Sequence, residues 1–115
     1  MVEEAINAWH DAVNRRDLDA AQAAVTDPVD VSGPRGAGPI PAADFAGWII
    51  RSGIRLSPLS YHPAGPGAMV VEQDARWNDD GEPARVATLF RVRDGRIALA
   101  HRFASLHEAL AAAQQ

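Results

Sequence analysis

The chain of 115 residues contains no cysteine. That excludes disulfides, thiolate metal sites and a cysteine nucleophile. Positive charge is also scarce: 11 basic residues, all of them arginine, stand against 15 acidic ones, for a net charge of −4. Sequence-independent nucleic-acid binding needs a basic patch to displace counterions, so no nucleic-acid partner is expected. No apolar run approaches the about 20 residues a membrane span requires, so no membrane partner is expected either. The opening MVEEAINAWHDAV is acidic and amphipathic, unlike a secretory leader, and the expected location is cytoplasmic. The four histidines are scattered. No H-E-x-x-H or comparable ligand spacing occurs, so neither a metal nor an organic cofactor is expected.

What is present is a normal globular share of hydrophobic residues, 47%, which argues against disorder. The length suits one domain with one core, expected to span residues 1–115. The most informative stretch is VATLFRVRDGRIALAHRF, Val86 to Phe103. Asp94-Gly95 between two alternating apolar runs predicts a β-hairpin. Upstream, Val2, Ile6, Trp9 and Val13 recur at helical spacing and predict a helix over 3–15. Asp17 can cap a second helix, 18–25, closely joined to the first. Val29 to Ser32 reads as a short strand. Gly33 to Pro39 is too rich in glycine and proline for regular structure and reads as a surface loop, or as a cavity rim where Arg35 offers an anion-binding fork.

Pro41 opens a third helix, 41–52, with Phe45, Trp48, Ile49 and Ser52 inward. Strands follow over 56–64 and 68–77, then the hairpin. Ser105 and Glu108 form a capping box for a last helix, 105–113. Early helices and late antiparallel strands make an α+β plan, with helices against one sheet face.

A two-residue turn at Asp94-Gly95 pairs Arg93 with Arg96 and places Thr88 opposite His101. A loop over 78–83 then places Gln73 opposite Thr88. One face becomes apolar except for the row Gln73–Thr88–His101, and the other is mostly charged. A one-residue bulge would flip the last strand and turn Arg102 inward instead. The simple turn is preferred because it buries Ile97, Leu99 and Phe103, worth roughly 1.5–3 kcal/mol each, whereas an inward Arg102 needs a partner.

With these elements in place, the chain resembles the nuclear transport factor 2-like superfamily, especially its polyketide-cyclase-like (SnoaL-like) and ketosteroid-isomerase-like members. The residues that carry the resemblance are AINAWHDAVNRRDLDAAQAAVTDPVDVSGPRG, PAADFAGWIIRSG and LFRVRDGRI. It implies a cone: a strongly bent antiparallel sheet wrapped around N-terminal helices, with a cavity at the wide end and frequent dimerisation through the sheet. It does not fix function, because members include isomerases, cyclases, dehydratases, epoxide hydrolases and non-catalytic modules. The isomerase machinery does not carry over: its helix tyrosine falls at Trp9, its donor aspartate at Thr88 and its base at Gly33, which has no side chain to take a proton.

The candidate ligand-binding residues are therefore Trp9, Trp48, Tyr61, Gln73, Thr88 and Phe90, around a cavity that would take a small hydrophobic molecule. His101 is the candidate catalytic group, as general acid or base. His10, beside Trp9, is placed to reach the cavity mouth. The favoured reading is a non-catalytic or accessory ligand-binding homodimer. The alternative is a cofactor-independent isomerase, cyclase or lyase acting on a small hydrophobic substrate through His101. Epoxide-hydrolase-like water activation would need an inward Asp/Arg/Asp set, which this register does not supply. The dimer is expected through the charged sheet face carrying Glu72, Asp74, Arg76, Arg85, Arg91 and Arg102.

Overall fold

The computed structural model describes residues 2–33, 36–77 and 82–114. Arg35, and most of the loop expected over 78–83, lie outside the described residues.

Helix α1 (Val2–Asn14) buries Ile6, Trp9 and Val13, the predicted stripe. Asp17 caps α2 (Leu18–Ala23) by accepting from the Ala20 N–H, so the two helices turn on a short link. α3 (Ala42–Arg51) begins after Pro41, which has no capping side chain of its own. Its first N–H, Ala42, donates instead to Asp27 Oδ1 at 3.1 Å. Ala12, Ala21 and Ala46 meet where the three helices touch, and their small side chains allow close approach.

The strands are β1 (Val25–Gly33), β2 (Gly36–Ile40), β3 (Ile54–Pro63), β4 (Ala68–Trp77), β5 (Ala84–Arg93) and β6 (Arg96–Phe103). They form one curved, unclosed sheet in the order β2-β1-β6-β5-β4-β3. All neighbours are antiparallel except β1 and β6, which run parallel. The α+β cone is as expected. One expectation about its rim is corrected: Gly36–Ile40 is an edge strand paired to β1, not an irregular loop. An edge position tolerates proline, because one side of the strand needs no ladder partner. At the opposite edge, Asn14 substitutes for a missing strand: its side-chain amide donates to the Leu56 carbonyl at 2.7 Å and accepts from the Leu56 N–H at 2.8 Å.

The sheet is covered on both faces, which corrects the expectation of helices on one. The main core lies between α1, α3 and the inner face, around Ile6, Trp9, Phe45, Leu56, Val71 and Phe90. The last helix, α4 (Leu106–Ala113), starts at Ser105, whose side chain accepts from the Glu108 N–H. It packs on the other face, where Ala109, Leu106 and Leu110 join Val70, Ala87 and Leu89.

That second layer decides the register of β6. The Asp94-Gly95 turn is as read, with φ of 54° and 77°, the positive pair a type I′ hairpin turn requires. Arg93 faces Arg96 and Val92 faces Ile97, but the next pair is Arg91 with Leu99. Ala98 is therefore an extra residue, a bulge that inverts the rest of the strand. Ile97 stays in the inner core, while Leu99 and Phe103 turn outward and pack with the α4 layer. Both apolar sets are satisfied, so the burial argument for an inward His101 loses its force. β4 and β5 are offset by two residues from the expected pairing, Gln73 facing Val86 and Val71 facing Thr88. An even offset leaves every side chain on its expected face.

Candidate functional site

The inner face does not close completely over the core. A cavity of about 410 Å³ opens between α1, α3 and strands β1, β2, β3, β5 and β6, within the range of small-molecule sites. α3 supplies Phe45, Trp48 and Ile49 on its inner stripe, and the bond from Asp27 to its first turn fixes where they stand. Trp9 comes from α1, Leu56 from β3, Val31 from β1 and Ile40 from β2. The aromatic wall is continuous. Trp9 stacks on Phe45 at 6.1 Å with planes 5° apart, and Phe45 meets Trp48 at 6.3 Å. The polar lining among the described residues is Ser32, Thr88 and Arg102.

Thr88 ends a buried hydrogen-bonded chain that starts on α1. His10 Nδ1 is 2.8 Å from the Ile6 carbonyl, so that nitrogen carries the proton and donates. Nε2 is then the acceptor and takes a hydrogen from Gln73 Nε2 at 2.7 Å. The remaining amide oxygen of Gln73 accepts from the Thr88 hydroxyl at 2.7 Å. One backbone carbonyl thereby sets the direction of every bond in the chain. Burial, outweighing the bond to Ile6, holds His10 below its ordinary pKa of 6.5, so the imidazole is neutral near pH 7. Thr88 therefore gives its hydrogen to Gln73 while standing on the cavity wall.

Among the described residues, Arg102 is the cation of the site. The Ala98 bulge turns it inward, opposite Thr88 on β5. Burial lowers its pKa from the usual guanidinium value, yet an arginine stays charged near neutrality. Its guanidinium lies over the Trp77 ring, 5.7 Å from the centroid.

Of the residues singled out from sequence, the structure brings Trp9, Trp48 and Thr88 to the cavity wall. Gln73 is fully buried behind Thr88, and Phe90 lies beneath Trp9 at 5.6 Å. Tyr61 stands apart, donating to Asn7 Oδ1 at 2.6 Å. His101 is displaced: its register partner Leu89 belongs to the α4 layer, and its Nε2 lies 3.1 Å from Asp30 Oδ1. The expected row Gln73–Thr88–His101 is thus corrected to His10–Gln73–Thr88, with the histidine contributed by a helix. Arg102 was the residue the preferred register turned away from the cavity. The signal that could have recovered it is Leu99 and Phe103, which suit a second apolar layer as well as the first.

A family model described as a SnoaL-like domain matches residues 6–100. No curated protein matches the chain. Solved structures do. An NTF2-like protein of unknown function from Cytophaga hutchinsonii superposes with a TM-score of 0.80 at 14% identity, over 90% of this chain and 88% of that one. An LEH-like epoxide hydrolase from M. tuberculosis gives 0.75 at 20% identity, over 98% and 91%. TerC, co-crystallised with polyporic acid, gives 0.73 at 18% identity, over 96% and 98%. Likeness at these identities establishes the fold alone.

Proposed function

The chain belongs to the SnoaL-like domain family, and from that membership we propose that it is a small-molecule-binding domain that holds a hydrophobic ligand without transforming it. One observation carries the reading: the cavity is apolar and aromatic, and no Asp, Glu, His or Tyr stands among its described lining residues. General acid–base catalysis needs a group that titrates near the working pH, within hydrogen-bond reach of the substrate. Here the Thr88 proton is committed to Gln73 and Arg102 does not titrate near neutrality. The reading of an isomerase, cyclase or lyase acting through His101 lacks support, because that side chain is on the α4 side with Asp30. The co-crystallisation of TerC with polyporic acid supports a small-molecule occupant for this kind of cone. Trp9, Trp48 and Thr88 are the proposed contacts from the sequence reading, joined by Phe45 and Arg102.

Titration with the neutral dye N-phenyl-1-naphthylamine tests this. Fluorescence should rise to saturation at one dye per chain. Ala100→Phe, which adds a ring at the cavity wall, should weaken binding about tenfold or more while circular dichroism stays native. A wild type that shows no saturable binding overturns the reading.

Two copies are also proposed to associate, through the part of the outer face that α4 leaves open. Glu72, Asp74, Arg85 and Arg91 stand there, with Arg85 already paired to Asp74 at 2.8 Å within the chain. Arg102, expected in that contact, belongs to the inner face. Light scattering at micromolar concentration should give twice 12.3 kDa, and the mass of one chain would exclude the dimer.

A further inference from the structure

We propose that Arg102 is an anion anchor and that the ligand of the cavity is a hydrophobic carboxylate. The inference rests on the ligand-binding reading above and narrows it to one chemical class. Three observations lead to it. First, Arg102 is on the wall of a largely apolar cavity, placed there by the Ala98 bulge. Second, it has no anionic partner among the described residues: the ion pairs join Arg15 to Asp11 and Asp17, Arg85 to Asp74, and His101 to Asp30. Third, its contact is with the Trp77 ring. A contact with a ring face attracts the guanidinium's charge but does not neutralise it as a carboxylate would.

A cation drawn part-way out of water and left without a counter-charge is unfavourable, and among the described residues no carboxylate lines this wall to offset it. A ligand carboxylate would. Its two oxygens match the N–H fork, and the hydrogen bonds are charge-assisted. The body of such a ligand would lie along Trp9, Phe45 and Trp48, and the volume of about 410 Å³ admits a fused-ring acid. Thr88 leaves Arg102 as the site's donor for an anion, because its own hydroxyl hydrogen is donated to Gln73 and the arginine stands opposite it. The whole chain carries −4, so its overall field disfavours anions, and any preference for an acid has to arise locally.

The test compares 2-naphthoate with 2-acetonaphthone, a neutral ligand of nearly the same shape, by calorimetry at pH 7. The wild type should bind the acid about tenfold to a hundredfold more tightly, the range of a charge-assisted hydrogen bond. Arg102→Gln should bind the acid no more tightly than the ketone. A wild type that binds both alike, or an Arg102→Gln variant that keeps the preference, overturns the anchor while leaving the cavity reading intact. If neither compound binds the wild type, the cavity reading falls and takes the anchor with it. Should Arg102→Gln not fold, Arg102→Lys carries the test, since lysine keeps the charge without the fork. A preference cut several-fold supports the anchor, and an undiminished one overturns it.

Discussion

Trp9→Ala is expected to destabilise the protein by about 3–5 kcal/mol, the usual cost of emptying a buried indole site. Trp9 is only 4% exposed. It stacks on Phe45, meets Phe90 edge-on at 5.6 Å with planes 62° apart, and meets His10 edge-on at 5.3 Å. Aromatic pairs of this kind add about 0.5–1.5 kcal/mol beyond the area they bury. One side of the indole borders the cavity, so part of the space it leaves merges with volume already open, and the loss should fall toward the lower end of the range. Chemical denaturation measures it. A loss under about 1 kcal/mol would mean that Trp9 hangs into empty space rather than bracing the core. The same variant should bind N-phenyl-1-naphthylamine less tightly, because the aromatic wall is broken.

The second large effect is expected at Gln73. Gln73→Leu keeps the volume and removes the middle of the His10–Gln73–Thr88 chain. His10 Nε2 is left without a donor inside the core, and the Thr88 hydroxyl must turn to the cavity. At about 1–3 kcal/mol for a buried polar group left unmet, the variant should lose about 1–3 kcal/mol. A loss below about 0.5 kcal/mol would show that the amide holds nothing in place. The chain also predicts a pH response of the wild type. His10 takes up a proton near 6.5 when unfolded and at lower pH when folded, because burial opposes its charge. Between those two values the unfolded state binds more protons, so stability is complete above 6.5 and declines as pH falls below it. Urea unfolding at pH 7.5 and 5.5 should show that decline, and His10→Gln should show less of it. Equal slopes would place the imidazole in contact with water.

Local chemistry made much of this fold readable. The positive φ values at Asp94 and Gly95, the Asp17 and Ser105 caps, and the buried stripe of α1 all follow from neighbouring residues, and each is where the sequence puts it. The failures are of a different kind. Nothing within RIALAHRF marks Ala98 as the extra residue, since Leu99-His101-Phe103 and Ala98-Ala100-Arg102 alternate equally well. The choice is made by α4, which reaches the sheet from outside and rewards an outward Leu99 and Phe103. Gly36–Ile40 is a strand because β1 offers a free edge, against its own composition. The candidate site inherits both errors. Trp9, Trp48 and Thr88 were legible because they sit on well-patterned elements. His10 and Arg102 were not, one because its partner is on a distant strand and the other because a single inserted residue determines its direction.

The parallel pairing of β1 with β6 ties the first strand of the chain to the last, and the Asp30–His101 contact spans 71 residues of sequence. A ribosome delivers those partners far apart in time. While the middle of the chain is being made, β1 and β2 have each other but no seat in the sheet, and the aromatic wall on α3 has nothing to close against. The cavity therefore cannot close until residues 96–103 emerge and pair between β1 and β5. Closing so long a loop is slow compared with forming α1 or the Asp94-Gly95 hairpin. During that interval the exposed edge of β1 is the surface on which a nascent chain would find a wrong neighbour.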